Sequence, residues 1–131
     1  MNLHIRVVEA ADVPKMDVAG KSDPYVLIKS SKSSQTYQTK HKNNTDKPVW
    51  NEEFTIPITS AMDDILTIEM YDKDTISKDD IISKIAIQVN KIPPGKVNDS
   101  WYTMHPLGKL TTGGKLRLVV HLAKQGQPAF Q

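Results

Sequence analysis

The chain has 131 residues, room for one domain around one core and hardly for two. It contains no cysteine, which excludes disulfides and thiolate metal sites and fits a reducing compartment. A formal net charge of +2 is too small to point to nucleic acid, and no apolar run approaches the roughly 20 residues that span a bilayer.

The N-terminus reads as a strand rather than as the apolar segment of a signal peptide, because Leu3, Ile5 and Val7 alternate with His4, Arg6 and Val8. Residues 10–13 lead into a polar loop, and Tyr25–Lys29 is the next strand. The serines around Lys32 mark a turn, after which residues 35–40 return as a polar strand rich in Thr and Tyr. A loop over 42–48 precedes a strand on which Trp50, Phe54, Ile56 and Ile58 share a parity. Residues 65–71 form a further strand, and 81–89 another, with Ile85, Ile87 and Val89 on one face. The prolines at 93 and 94 rule out regular structure there. A short strand over 100–104, a turn at Gly113-Gly114 and a last strand carrying Leu116, Leu118, Val120 and Leu122 close the series. About eight short strands and no amphipathic helix predict an all-β fold, an eight-stranded antiparallel β-sandwich. We expect residues 1–124 to form the domain and 125–131 to be a tail or the start of a linker. Trp50, Phe54 and Trp101 read as core or semi-core aromatics. The four histidines have no ligand spacing, and His4 and His121 fall on polar strand faces.

Two acidic loops carry the chemistry. Asp72, Asp74 and Asp80 follow the strand 65–71, and Asp17 and Asp23 precede the strand 25–29. Gly20 gives the earlier loop turn freedom, and Pro24 fixes its exit into extended chain. Both loops leave strand ends, so they can meet at one end of the sandwich. Two carboxylates about 4 Å apart oppose each other by about 1 kcal/mol in water and about 4 kcal/mol at an effective dielectric near 20. Several converging carboxylates either form a solvated acidic rim or hold a hard cation through oxygen.

Three motifs tip that balance. The run 14–25, then Lys47-Pro48-Val49-Trp50-Asn51-Glu52-Glu53-Phe54, then Tyr71-Asp72-Lys73-Asp74 with Asp80, resembles the C2 domain, the calcium-binding, membrane-targeting module of protein kinase C and synaptotagmin. The resemblance extends from about Leu3 to about Ala123, with the motifs in the family's order and spacing. A first strand at the N-terminus and a full closing strand over 115–122 resemble the permutation called type II, as in phospholipase-type members.

The resemblance implies two or three calcium ions held by Asp17, Asp23, Asp72, Asp74 and Asp80, with backbone carbonyls near Met16 and Lys73 completing the shell. Magnesium suits such a cup less well, because it keeps a tight octahedron with several waters. An EF-hand does not fit, since Ser77 stands where Gly is needed and Ser83 where Glu is needed. The implied function is calcium-dependent docking on anionic phospholipid, phosphatidylserine first. Met16, Val18 and Ile76 would dip into the headgroups or else pack between the loops, the second place suiting Met16 most and Ile76 least, and Lys78 would touch phosphate. Lys29 and Lys40 are candidate lipid contacts on the concave face. Leu27 and Gln38 replace further lysines there, which argues against a strong phosphoinositide preference. Ser83 also departs from the family, which often has Gly at that position. No residue reads as a catalytic nucleophile, so we expect no enzyme but a module that carries or recruits an effector, cytoplasmic at rest and moving to the inner face of the plasma membrane or another anionic membrane when calcium rises. The alternative is a calcium-independent protein-interaction module on the same fold, whose mark would be lost loop aspartates.

Overall fold

A computed structural model of the chain describes residues 1–16 and 20–131. Among these residues the elements are β1 (Asn2–Ala11), β2 (Pro24–Ser30), β3 (Thr36–Gln38), β4 (Val49–Pro57), β5 (Ile65–Asp72), β6 (Asp80–Gln88), β7 (Val97–Thr103), β8 (His105–Pro106) and β9 (Lys115–Ala123). The one helical piece described is a single 3-10 turn, Val89–Lys91. Eight of the strands are those expected from the alternation. The addition, β8, is a two-residue edge paired to β6 at Ser83 and Lys84, too short to carry any period.

The strands form two antiparallel sheets, ordered β4-β1-β9-β7 and β3-β2-β5-β6-β8. The first and last long strands are neighbours in one sheet, with Leu3 opposite Leu122 and Ala10 opposite Leu116. That is the arrangement expected of a chain that opens on β1 and closes on β9. Period-two patterning places Leu3, Ile5, Ile56, Leu118 and Leu122 of one sheet against Val26, Ile28, Leu66, Ile68 and Met70 of the other. Trp50 is buried as expected, but Trp101 is 48% exposed. On β7 it lies opposite Arg117, on the outward parity shared with Asp99. A register shift between Met70 and Tyr71 puts the consecutive residues Ile82 and Ser83 both inside.

Strand direction gathers the loops that matter at one end. Ala11 and Thr103 both lie opposite Lys115, and Asp72 pairs with Pro24 on one side and Asp80 on the other. Backbone bonds then lace the connections together. Val13 N–H donates to the Asp46 carbonyl (3.2 Å), Thr45 N–H to Ser22 (3.0 Å), and Lys73 N–H to Asp23 (3.0 Å).

The tail does not hang free. Residues 125–131 fold back so that Phe130 lies beside His4, His121 and Arg6, the Arg6 guanidinium carbon sitting 4.8 Å from the ring centroid. The Phe130 amide donates to His121 Nδ1 at 2.8 Å. Parity sends His121 outward, opposite His4, as expected. Yet it is 0% exposed, because the tail lies near it, so its place is not a solvated face. Its Nε2 has no hydrogen-bond partner among the described residues. Phe130 also adopts φ 59°, a left-handed conformation that a bulky residue keeps only when its surroundings fix it. We predict that Phe130→Ala lowers unfolding free energy by about 1–2 kcal/mol in urea titration, from lost apolar burial and the lost cation–π contact. An unchanged midpoint would mean that the tail is not held in solution.

Candidate functional site at the loop end

The cross-strand register sets Asp72 opposite Asp80 on one side and opposite Pro24, the residue after Asp23, on the other. Asp23 precedes β2, Asp72 ends β5 opposite Pro24, and Asp80 opens β6 opposite Asp72. Antiparallel neighbours in a sheet lie about 4.5–5.5 Å apart. Adjacent strands therefore bring Asp72 and Asp80 together whatever the loops above them do.

Each acidic side chain is anchored differently. Asp72 is buried, and its Oδ1 accepts the Asp23 amide at 2.8 Å. The Asp23 Oδ1 accepts the Asn44 amide at 2.6 Å, which ties the loop 39–48 to the site. Asn44 in turn accepts the Lys21 amide on its own Oδ1 at 2.8 Å. Asp80 is exposed at the start of β6 and lines a groove with Met16, Ile81, Leu107 and Lys109.

Asp74 faces its own loop. Its Oδ1 accepts the amides of Ile76 (2.8 Å) and Ser77 (3.2 Å), and its Oδ2 accepts the Ser77 hydroxyl (2.8 Å). These donors hold its carboxyl below the usual range, the Ile76 amide contributing most. Asp79 behaves similarly. The Tyr25 hydroxyl, the Asp74 amide and the nearby Lys73 ammonium all favour its ionised form, in that order. Both groups are therefore charged at neutral pH.

The other expected site residues divide. Asp17 and Val18 lie outside the described residues. Met16 is half-buried and packs against the core. Lys73 is exposed, with its ammonium 3.7 Å from Asp79 and its amide on the Asp23 carbonyl. Ile76 is 96% exposed at the tip of the loop, and Lys78 beside it is also exposed. Lys29 is far from bare: its ammonium sits 2.8 Å from Glu69, which offsets its charge. Lys40 is exposed and gives its backbone amide to Glu52 at 2.9 Å.

Among the described residues, no three His, Asp or Glu side chains are disposed to hold a metal ion. Both oxygens of Asp74 are turned to Ile76 and Ser77. The donor chemistry still suits a hard cation, since carboxylate oxygen dominates and the chain has no thiolate. Sequence reasoning missed Tyr25, Asn44 and Asp79 as parts of the site. Asp79 had a visible signal, its place beside Asp80, but its partner Tyr25 is 54 positions away.

Comparison with known proteins agrees with the geometry. Cytosolic phospholipase A2 delta of Mus musculus is 35% identical over 107 residues, which are 81% of this chain and 13% of that protein. Synaptotagmin-1 of Aplysia californica is 40% identical over 104 residues, 76% of this chain and 24% of that protein. The chain thus spans at most about a quarter of these curated relatives. Among solved structures, the calcium-bound pair of C2 domains from Extended-Synaptotagmin 2 superposes with a TM-score of 0.79 at 28% identity, covering 92% of this chain and 44% of that one. The model of the C2 domain family matches residues 1–104, and with this β-sandwich and its acidic loop end the chain belongs to the C2 domain family, a family of non-catalytic, membrane-targeting modules.

Proposed function

We propose that the chain docks on anionic phospholipid, phosphatidylserine first, when calcium fills the cup formed by Asp17, Asp23, Asp72, Asp74 and Asp80. The observation that carries this reading is the register that sets Asp72 and Asp80 on adjacent strand ends, with Asp23 beside them and Ile76 bare at the tip above. Calcium, two or three ions of it, would supply positive charge and open coordination positions for lipid oxygens. The chain's own residues do the rest. Asp23 and Asp72 are fixed by backbone amides, so their carboxylates need little reordering. Asp74 would turn from the Ile76 and Ser77 donors toward the ion, and the backbone near Met16 and Lys73 would complete the shell.

Without the cation, the loop tips present negative charge to a negative leaflet and are repelled. With it the sign reverses, and each basic charge near such a surface contributes on the order of 1 kcal/mol. Ile76 adds an apolar contact of up to roughly 1.5–3 kcal/mol if fully buried. Lys78 stands on the same loop to meet phosphate. The Lys29–Glu69 pair argues against a strong phosphoinositide preference on the concave face. The module would be cytoplasmic at rest, reach the inner face of the plasma membrane or another anionic membrane on a calcium rise, and bring with it an effector, either fused or bound. The small share of each relative that this chain spans supports the effector idea.

Vesicle sedimentation tests the proposal. Binding to phosphatidylserine vesicles is expected to require calcium and to weaken as salt is raised. Ile76→Ala is expected to bind vesicles about tenfold more weakly while its calcium affinity, read without lipid, stays unchanged. Equal binding to pure phosphatidylcholine, or binding that survives a chelator, would sink the mechanism and favour a calcium-independent protein-interaction module.

A further inference from the structure

The loop 73–79 joins β5 to β6 and carries both Asp74 and the bare Ile76. A polar loop of this length should fray, yet one side chain staples it twice. Asp79 Oδ1 accepts the Asp74 amide at 2.9 Å and so closes the loop across its base. Its Oδ2 accepts the Tyr25 hydroxyl at 2.6 Å, which ties the loop to β2 on the neighbouring strand. The Lys73 ammonium lies 3.7 Å from the same oxygen. Tyr25 is itself immobilised. It is buried, and its ring stacks on Tyr71 of β5 with centroids 5.4 Å apart and planes 11° from parallel. The hydroxyl is therefore delivered from a rigid sheet rather than from another loop.

We infer that Asp79 and Tyr25 are positioning residues that fix the backbone of the loop 73–79 before any ion arrives, so that only the Asp74 side chain has to turn toward the cation. This deepens the calcium reading above and rests on it for the affinity consequence, but not for the loop order. Asp79 is not assigned as a ligand in this scheme; its two oxygens serve the base of the loop and the sheet. What it sets is the backbone from Asp74 to Asp79, and with it the direction in which Asp74 and Ile76 project. Groups that orient ligands from outside the shell affect metal affinity by about 10–100-fold when removed.

Tyr25→Phe isolates the effect, because it keeps the ring stacked on Tyr71 and deletes only the hydroxyl. Two readouts are needed. The first is amide hydrogen exchange of Asp74, Ile76 and Ser77 without calcium, which is expected to quicken at least tenfold in Tyr25→Phe and further in Asp79→Ala. The second is calcium affinity by calorimetry, expected to weaken roughly tenfold in Tyr25→Phe, with Asp79→Asn retaining more affinity than Asp79→Ala because its amide oxygen still accepts a hydrogen bond. Unchanged exchange at Asp74 in both Tyr25→Phe and Asp79→Ala would overturn the inference. So would quickened exchange with wild-type calcium affinity. A wild-type chain that binds no calcium removes the calcium reading alone, and the exchange result then decides the staple by itself.

Discussion

Calcium is expected to raise the melting temperature of the wild-type chain by about 10 °C at a free concentration a hundredfold above its dissociation constant, and Asp23→Asn with Asp74→Asn is expected to abolish that rise. The size follows from linkage: a ligand that binds only the folded state at that concentration stabilises it by about 2.7 kcal/mol. For a domain of this length, each kcal/mol moves the midpoint by roughly 3–5 °C. The two substitutions are chosen for what they leave alone. An asparagine at 23 still offers an oxygen to the Asn44 amide, and one at 74 still offers an oxygen to the Ile76 amide. The apo fold should therefore persist, relieved of two mutually repelling charges, while the cation loses two charged ligands. Magnesium at equal concentration should change little, because the cup does not impose a tight octahedron. Scanning calorimetry of both chains with calcium and with chelator, and of the wild type with magnesium, measures these shifts. A double variant that keeps the wild-type shift would show that these aspartates are not the ligands.

The strands were legible because each buries one face, and a buried face forces period two on the sequence. Leu116, Leu118, Val120 and Leu122 declare β9 without help, and the loop aspartates stand out because carboxylates so placed need a partner. What escaped was whatever depends on a distant segment. His121 has the outward parity that its neighbours dictate, yet it is buried, since Phe130 returns from a tail with no periodic pattern. Residue type alone makes Trp101 semi-core, but its parity with Asp99 places it outward on an edge strand, next to Arg117 on β9. Asp79 sits in plain view beside a ligand position. Its partner is a tyrosine whose hydroxyl direction only the stacked sheet defines. Ser83 is visible in the sequence as a departure from glycine, but not as a buried hydroxyl with a job.

That job concerns the far side of the same loop end, and it makes Gly113 the position least able to accept a side chain. Ser83 is fully buried, and its hydroxyl donates to the Gly113 carbonyl at 2.8 Å. A Cβ on Gly113 would lie 2.6 Å from the Met104 carbonyl oxygen, 2.7 Å from the Ser83 Cβ and 2.9 Å from the Met104 carbonyl carbon. Two of those three atoms are backbone, and Met104 is held in place by its own amide on the Gly114 carbonyl at 3.0 Å. Gly113→Ala is therefore expected to destabilise by about 3 kcal/mol, at the upper end for an overpacked site, and to lower the melting temperature by about 10 °C. Adding Ser83→Gly should not restore it, because that relieves only the side-chain contact and leaves the Met104 carbonyl where it is. Ser83→Ala alone should cost about 1 kcal/mol, the net value of one hydrogen bond. The hydrogen bonds of Asp23 and Asp74 run to Asn44, Ile76 and Ser77 rather than to these residues, so the folded fraction of Gly113→Ala should bind calcium as wild type does. Urea titrations of the three variants separate these terms. A Gly113→Ala midpoint matching wild type, or a full rescue by Ser83→Gly, would show that the backbone at Met104 yields and that the close approach is not what requires glycine.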